Sequence, residues 1–350
     1  MPLVLLLDMD YFFAACEELR HPELKGSAFV VGTATIARRE RGVVQTCNYL
    51  ARGFGIHSAM PTAQALKLKP DLVYLESDDN YYQEMSDRVM SLLKGYGFAT
   101  EVMSIDEAAL ALGDISYYDA DALAKAVKSK INNEIGLPCT IGISTGKVYA
   151  KMVCDVSKPN GIGLLREDEL SSFLKDKDVN SILGVGKKTS DRLKEIGIST
   201  IGQLSKADPN VLVEMFGSFG RELYLLANCR DESRIVESYT VMSIGRERTL
   251  DGETRELAKM DAMLRGLSKE VIDEVRKRGM WFKGISVKAK YSDFTEHIKN
   301  RKLNNYTDSY DVLYGTAAQL IKELANEKMV RKVGVRAYLL ENRKGQRGIF

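Results

Sequence analysis

The sequence predicts a multidomain protein of mixed α/β and α+β class, and three observations carry that prediction. Strand-like apolar runs alternate with helical patterns up to about residue 167, glycine-punctuated helical patterns fill 167–234, and strands and helices alternate again over 243–342. A length of 350 residues exceeds one ordinary core and suggests two to four domains, and a hydrophobic content of 45% is ample to bury them.

The first strand is Leu3-Val4-Leu5-Leu6-Leu7, whose unbroken hydrophobicity suits burial on both faces and whose end delivers Asp8 to the sheet edge. Runs at 28–32, 72–75, 98–112 and 139–144 read as further strands; patterns at 14–20, 61–69, 79–95, 119–135 and 146–157 read as helices. Residues 12–77, with the charged loop Ala37-Arg38-Arg39-Glu40-Arg41-Gly42, look like a small inserted subdomain. Residues 235–242 read as an extended connector. Beyond it, strands are expected at 284–291 and 333–340 and helices near 258–278 and 311–326.

The most informative stretch is Val102-Met103-Ser104-Ile105-Asp106-Glu107-Ala108, where two adjacent carboxylates interrupt the run from Phe98 to Leu112. If this strand neighbours the first, three carboxylates converge within a few ångströms, and they cannot all stay ionised without a cation. Hard oxygen ligands favour Mg2+, and a pair of ions would clamp the attacking and leaving oxygens of a phosphoryl displacement. A salt-bridged strand end is the alternative reading.

Composition narrows the class. No apolar run approaches a membrane span, and the N-terminus carries no basic leader, so a cytoplasmic protein is expected. The five cysteines lack CxxC spacing and the three histidines lie far apart, which argues against zinc and disulfides. Residues 243–350 hold 23 Lys+Arg against 15 Asp+Glu, about +8, while the rest of the chain is about −6. A basic domain appended to an acidic body suits a protein that grips a polyanion in one place and binds metal in another; a solvated basic face is the bland alternative.

Leu183-Gly184-Val185-Gly186-Lys187-Lys188, followed by an amphipathic helix and Ile196-Gly197-Ile198, fits a helix-hairpin-helix, in which glycines let backbone amides approach DNA phosphates. A glycine-rich turn between helices is the alternative. Phe216-Gly217-Ser218-Phe219-Gly220-Arg221 reads equally as a degenerate second hairpin or as packing. Thr46, Tyr49 and Arg52 follow a strand and open a helix, which suits a triphosphate. Lys158 ends a helix before a turn, ordinarily a dipole partner. Gly142-Ile143-Ser144-Thr145-Gly146-Lys147 is one residue short of a phosphate loop, and Val148 stands where Ser/Thr is required.

Together the motifs resemble those of the Y-family translesion DNA polymerases, in the polymerase IV branch. Asp8-Met9-Asp10-Tyr11-Phe12-Phe13, Thr46-Cys47-Asn48-Tyr49-Leu50-Ala51-Arg52, Ser58-Ala59-Met60-Pro61-Thr62, Ser104-Ile105-Asp106-Glu107-Ala108, Lys158-Pro159-Asn160-Gly161, Gly184-Val185-Gly186 and Ser243-Ile244-Gly245-Arg246-Glu247 stand in the family's order and spacing across nearly the whole chain. The resemblance implies a right-hand polymerase: a ferredoxin-like palm at 1–11 and 78–167, small fingers at 12–77, a helix-hairpin-helix thumb at 168–234, a linker at 235–242, an α/β little finger at 243–342 and a tail at 343–350.

It further implies template-directed, low-fidelity synthesis across damaged DNA, in which two Mg2+ ions, with Mn2+ able to substitute, activate the primer 3′-hydroxyl and neutralise the triphosphate. Asp8, Asp106 and Glu107 match the catalytic metal ligands, completed by the Met9 carbonyl. Phe12, Phe13, Thr46, Tyr49, Arg52 and Lys158 match nucleotide-contacting positions, with Phe13 the steric gate under the sugar. Gly184, Gly186, Lys187, Arg246, Arg248, Arg331, Lys332 and Arg336 match DNA contacts. The implied partners are primer-template DNA and deoxynucleotides, and the implied state is a monomer.

Gly53, Cys47 and Ala109 depart from the residues usual in relatives. Gln346-Arg347-Gly348-Ile349-Phe350 begins like a sliding-clamp-binding peptide but stops before the paired aromatics. Two competing readings are another palm-fold enzyme such as a nucleotide cyclase, disfavoured by the hairpin motif and basic third, and an inactive DNA-binding accessory protein, disfavoured by the three carboxylates.

Overall fold

The computed structural model describes residues 2–325 and 328–342, so the clamp-like tail lies outside the described residues. Two compact units divide between Ser238 and Tyr239.

The first unit opens with β1 (Leu3–Met9), α1 (Phe12–Arg20), β2 (Phe29–Gly32), β3 (Val44–Cys47), α2 (Tyr49–Arg52), α3 (Thr62–Leu68), β4 (Val73–Glu76) and α4 (Asp79–Lys94). It continues through β5 (Thr100–Val102), β6 (Glu107–Gly113), α5 (Tyr117–Glu134), β7 (Cys139–Thr145), α6 (Lys147–Val156) and β8 (Ile162–Leu164). Five short helices close it: α7 (Leu170–Leu174), α8 (Lys187–Glu195), α9 (Ile201–Leu204), α10 (Pro209–Phe216) and α11 (Ser218–Ala227).

The main sheet has the order β5-β6-β1-β7-β8, and β1 is buried along its whole length, as its apolar run requires. The expected single strand at 98–112 is instead the antiparallel hairpin β5–β6. Its turn forms because the N–H groups of Met103 and Ser104 both donate to the Glu107 carbonyl, while polar Ser104 and Asp106 bond each other rather than extend the ladder. A second sheet, β3-β2-β4, lies wholly within 12–77 over its own small core of Val30, Val44, Cys47, Ile56 and Tyr74. Phe12, Ala14, Ala15 and Cys16 of α1 pack instead into the core of the main sheet.

Helix α6 lies directly on β7. At Gly142 a Cβ would fall 2.1 Å from the Ala150 carbonyl oxygen and 2.5 Å from the Cys154 nitrogen, so only glycine admits the helix this close. Gly142→Ala is expected to lower stability by about 1–3 kcal/mol through overpacking, measured by denaturant unfolding.

The second unit runs β9 (Ser243–Thr254), α12 (Leu257–Lys277), β10 (Met280–Tyr291), β11 (Glu296–Thr307), α13 (Tyr310–Leu324) and β12 (Val330–Asn342). Its sheet order is β11-β10-β12-β9. The sequence pattern located β10 and β12 but not β9 or β11, because the two outer strands are mostly exposed and charged and so lack alternation.

Alternation in β10 and β12 buries Ile285, Val287, Ala289, Val333, Val335 and Ala337 against the helices. It leaves Lys288, Lys290, Lys332 and Arg336 on the other face, where Ser286 stands opposite Arg336 and Lys290 opposite Lys332. Glu247 of β9 sits among them, 2.6 Å from Lys288 and 2.8 Å from Lys332. Burial raises its pKa, but the two ammonium groups outweigh this and bring it down from 4.5 to about 2. The stability this contributes is present above 4.5 and lost as pH falls toward about 2. In thermal melts Glu247→Gln should therefore differ most from the parent near neutral pH, and the two curves should converge over that acid window.

Candidate active site

β1 and β6 are neighbours, and their antiparallel register places Asp8 directly opposite Glu107. Beyond that pair, the Met9 N–H donates to the Asp106 carbonyl at 2.9 Å, which ties the hairpin turn to the end of β1. The two carboxylate-bearing segments are therefore brought together as the sequence spacing suggested. The three side chains do not all converge: among the described residues no three His, Cys, Asp or Glu side chains form a metal-ligand group. Asp8 and Glu107 are held together by an ammonium group, whereas the Ser104 hydroxyl donates to Asp106 Oδ1 at 2.5 Å.

The ammonium belongs to Lys151 of α6, which sequence reasoning missed. Its Nζ lies 2.6 Å from Asp8, 2.5 Å from Glu107 and 2.9 Å from Asp155, one helical turn on. Although burial disfavours its charge, the Asp8 and Glu107 carboxylates push its pKa well above the ordinary lysine range. Burial also raises both acids. For Asp8 this is outweighed by its bonds to Glu107, Lys151 and Lys158, so it is lowered; Glu107 is raised by burial and by its bond to Asp8.

Lys158 lies two residues past the end of α6, and its Nζ is 2.7 Å from Asp8, so it faces the carboxylates rather than a helix terminus. A buried residue fixes its loop. Asp10 accepts from the Thr140 hydroxyl at 2.9 and 3.1 Å and from the Asn160 N–H at 2.7 Å, which pins the Lys158-Pro159-Asn160 turn to the end of β1.

A cavity of about 280 Å³ joins these groups to the smaller sheet. Besides Asp8, Met9, Asp106, Glu107, Lys151 and Lys158, its lining includes Tyr11, Phe12, Phe13, Gln45, Thr46, Arg52 and Ser58. Thr46 sits within β3 rather than after it. Asn48 caps α2 by accepting from the Ala51 N–H, and this short helix carries Tyr49 and Arg52. The Arg52 guanidinium lies 5.0 Å from the Tyr49 ring centre, and Tyr49 meets Tyr11 edge-to-face at 5.1 Å. Phe13 stacks on Tyr82 at 4.4 Å, and the Tyr82 hydroxyl donates to buried Glu17 at 2.6 Å.

In the helical part of this unit, Gly184 adopts φ +92°, and Gly186 precedes α8, whose first residue is Lys187. A Cβ at Gly186 would meet nothing within 4 Å, so packing inside the protein does not require glycine there. The second glycine motif is a packed corner: Gly217 joins α10 to α11, and a Cβ at Gly220 would fall 1.9 Å from the Leu212 carbonyl oxygen.

In the second unit Arg246 and Arg336 line a groove of about 230 Å³ with Ser243, Ser286 and Lys288. Three other expected contacts have acidic partners: Arg248 pairs with Glu270 at 2.9 Å, Arg331 with Glu253 at 3.4 Å, and Lys332 with Glu247.

A mostly antiparallel carboxylate-bearing sheet, a small sheet that shares a cavity with it and a separate basic four-stranded unit define a nucleotidyl-transferring polymerase class. The model of the impB/mucB/samB family matches residues 7–155, and that of the family's C-terminal domain matches 241–349. The chain is 36% identical over 340 residues to "DNA polymerase IV" of Methanoculleus marisnigri, covering 97% of this chain and 94% of that one. It is 35% identical over 336 residues to the protein of that name from Lactococcus lactis subsp. cremoris, covering 95% and 92%.

Among solved structures, a Y-family DNA polymerase chimera of Dbh and Dpo4 is similar at TM-score 0.90 and 30% identity, covering 97% of this chain and 99% of that one. An insertion ternary complex of Dbh DNA polymerase is similar at TM-score 0.68 and 30% identity, covering 96% and 98%. The chain belongs to the impB/mucB/samB family, the Y-family DNA polymerases of the polymerase IV branch, and is a translesion DNA-directed DNA polymerase.

Proposed function

We propose that this chain adds deoxynucleotides to a primer 3′-hydroxyl by a two-Mg2+ mechanism, with Asp8, Asp106 and Glu107 as the metal-holding side chains and the Met9 carbonyl beside them. The observation that carries this reading is the Asp8–Glu107 pairing across β1 and β6 at the mouth of a cavity that also holds Arg52 and Lys158. The donor set fits a hard divalent cation. It is all oxygen, and Asp8, Asp106, Glu107 and Asp155 outnumber the neighbouring ammonium groups of Lys151 and Lys158, an imbalance that a triphosphate would enlarge. Bound Mg2+ would lower the pKa of the attacking hydroxyl and neutralise charge on the leaving pyrophosphate.

The chain's own residues bind and orient. Arg52, Tyr49, Thr46 and Lys158 hold the triphosphate, and Phe12 and Phe13 border the sugar, with Phe13 backed by Tyr82. Residues 1–11 and 78–167 act as palm, 12–77 as fingers, 168–234 as thumb and 243–342 as little finger, with 235–242 as linker. Gly184, Gly186 and Lys187 present backbone amides and charge to phosphates, and Arg246, Arg248, Arg331, Lys332 and Arg336 grip the template backbone. The enzyme works as a cytoplasmic monomer. No helix among the described residues is long and apolar enough to cross a membrane.

The test is extension of a primed template with Mg2+ and one deoxynucleotide at a time. Addition of the complementary nucleotide opposite each template base is the expected result. Consumption of nucleoside triphosphate without a primer would favour the cyclase reading, and DNA binding without extension the accessory-protein reading.

A further inference from the structure

Four buried side-chain atoms among the described residues have no hydrogen-bond partner: Gln45 Oε1, Thr62 Oγ1, Thr145 Oγ1 and Ser268 Oγ. Only Gln45 among these residues lines the candidate active-site cavity. A buried acceptor without a donor is costly, and such atoms at a site are satisfied by what the site binds.

The backbone shows how Gln45 reaches the cavity. Where β2 and β3 pair, Val31 stands opposite Thr46 and Gly32 opposite Val44, so Gln45 is the extra residue of a β-bulge. In a regular strand Gln45 and Thr46 would point to opposite faces; the bulge re-aims one of them, and both line the same cavity. Gly32, opposite Val44 beside the bulge, is itself confined to glycine, since a Cβ there would fall 2.4 Å from the Tyr74 ring.

We propose that Gln45 is a specificity-determining residue that reads the nascent base pair through its carboxamide; this rests on the nucleotidyl-transfer reading above. The other groups of the cavity are suited to the triphosphate and sugar: Thr46, Arg52 and Lys158 carry donors for phosphate oxygens, and Phe13 is apolar. Gln45 alone offers a neutral donor and acceptor side by side. Oε1 requires a donor, and phosphate oxygens at neutral pH have none; of the donors a nucleotide does carry, a sugar hydroxyl and an exocyclic amino group, only the amino group lies beside a ring-nitrogen acceptor that the carboxamide N–H can meet at the same time. A carboxamide matches a purine edge on which an acceptor nitrogen lies beside an amino group. Two edges have that form: N3 and N2 of guanine in the minor groove, and N7 and N6 of adenine in the major groove.

The experiment is a cycle between protein and nucleotide, using the full chain with Mg2+ and primed DNA. Single-turnover kcat/KM is measured for the parent, Gln45→Ala and the near-isosteric Gln45→Met. One arm compares dGTP with dITP, which lacks the amino group, opposite template cytosine, and repeats the comparison with the purine in the template. The other compares dATP with 7-deaza-dATP, in incoming and template positions.

The expected result is that one purine arm loses about three- to tenfold of its parental preference in both variants, which also identifies the groove. Equal preferences in parent and variants in both arms, with extension retained, would overturn the assignment to Gln45 and leave the polymerase reading intact. Failure of the parent itself to extend any primer would instead overturn the polymerase reading.

Discussion

Replacing Asp8 with asparagine is expected to lower the rate of primer extension by about a thousandfold or more. Asp8 is 3% exposed, faces Glu107 across the sheet and receives the ammonium groups of both Lys151 and Lys158. Asparagine keeps the volume and the strand but removes the charge that a divalent cation and two lysines require. Lys151 keeps Glu107 and Asp155, so the fold should survive. Circular dichroism together with DNA binding at fixed ionic strength separates the two effects. Extension within tenfold of the parent would show that Asp8 holds no essential metal. If Asp106 joins the metal site as proposed, Asp106→Ala should be equally inactive, although among the described residues its side chain bonds only Ser104.

The second large effect is a gain. Phe13→Ala should raise ribonucleotide incorporation relative to deoxynucleotides by about ten- to a hundredfold, the range expected when a clash against one added hydroxyl is relieved. Phe13 is held flat against Tyr82, whose own hydroxyl is anchored on buried Glu17, so the ring cannot swing aside to admit a 2′-oxygen. The readout is the ratio of kcat/KM for each rNTP and its dNTP partner. An unchanged ratio would show that the sugar does not lie over this ring.

Much of this site could be read from the chain because its key residues stand at boundaries that the pattern marks. Asp8 ends a run too apolar to be anything but a buried strand, and Asp106-Glu107 break another; the register that pairs them follows once both are strands of one sheet. The hairpin within 98–112 was hidden because the turn residues Ile105 and Met103 are themselves apolar. β9 and β11 were hidden because exposed outer strands carry charge at both parities. Lys151 was invisible for a different reason: a lysine four residues before an aspartate on a helix is ordinary, and only the packing of α6 over β7, permitted by Gly142, turns it toward Asp8. Phe13 by itself reads as a core aromatic, and only the family resemblance assigns it the place under the sugar. The bulge at Gln45 depends on a pairing offset that no single strand encodes.

The anchoring of the Lys158 turn by Asp10 has a consequence for timing. Asp8 and Asp10 lie two residues apart, one gripping the Lys158 ammonium and the other the Asn160 backbone, so side chain and main chain close a small ring around the end of β1. A ring of this kind stores no motion of its own. If Lys158 holds the triphosphate as proposed, a substrate that draws it from Asp8 opens only one link, and the lysine then moves from the pivot that Asp10 fixes. On that reading the Asp10 tether keeps the Lys158 turn in place for the next nucleotide.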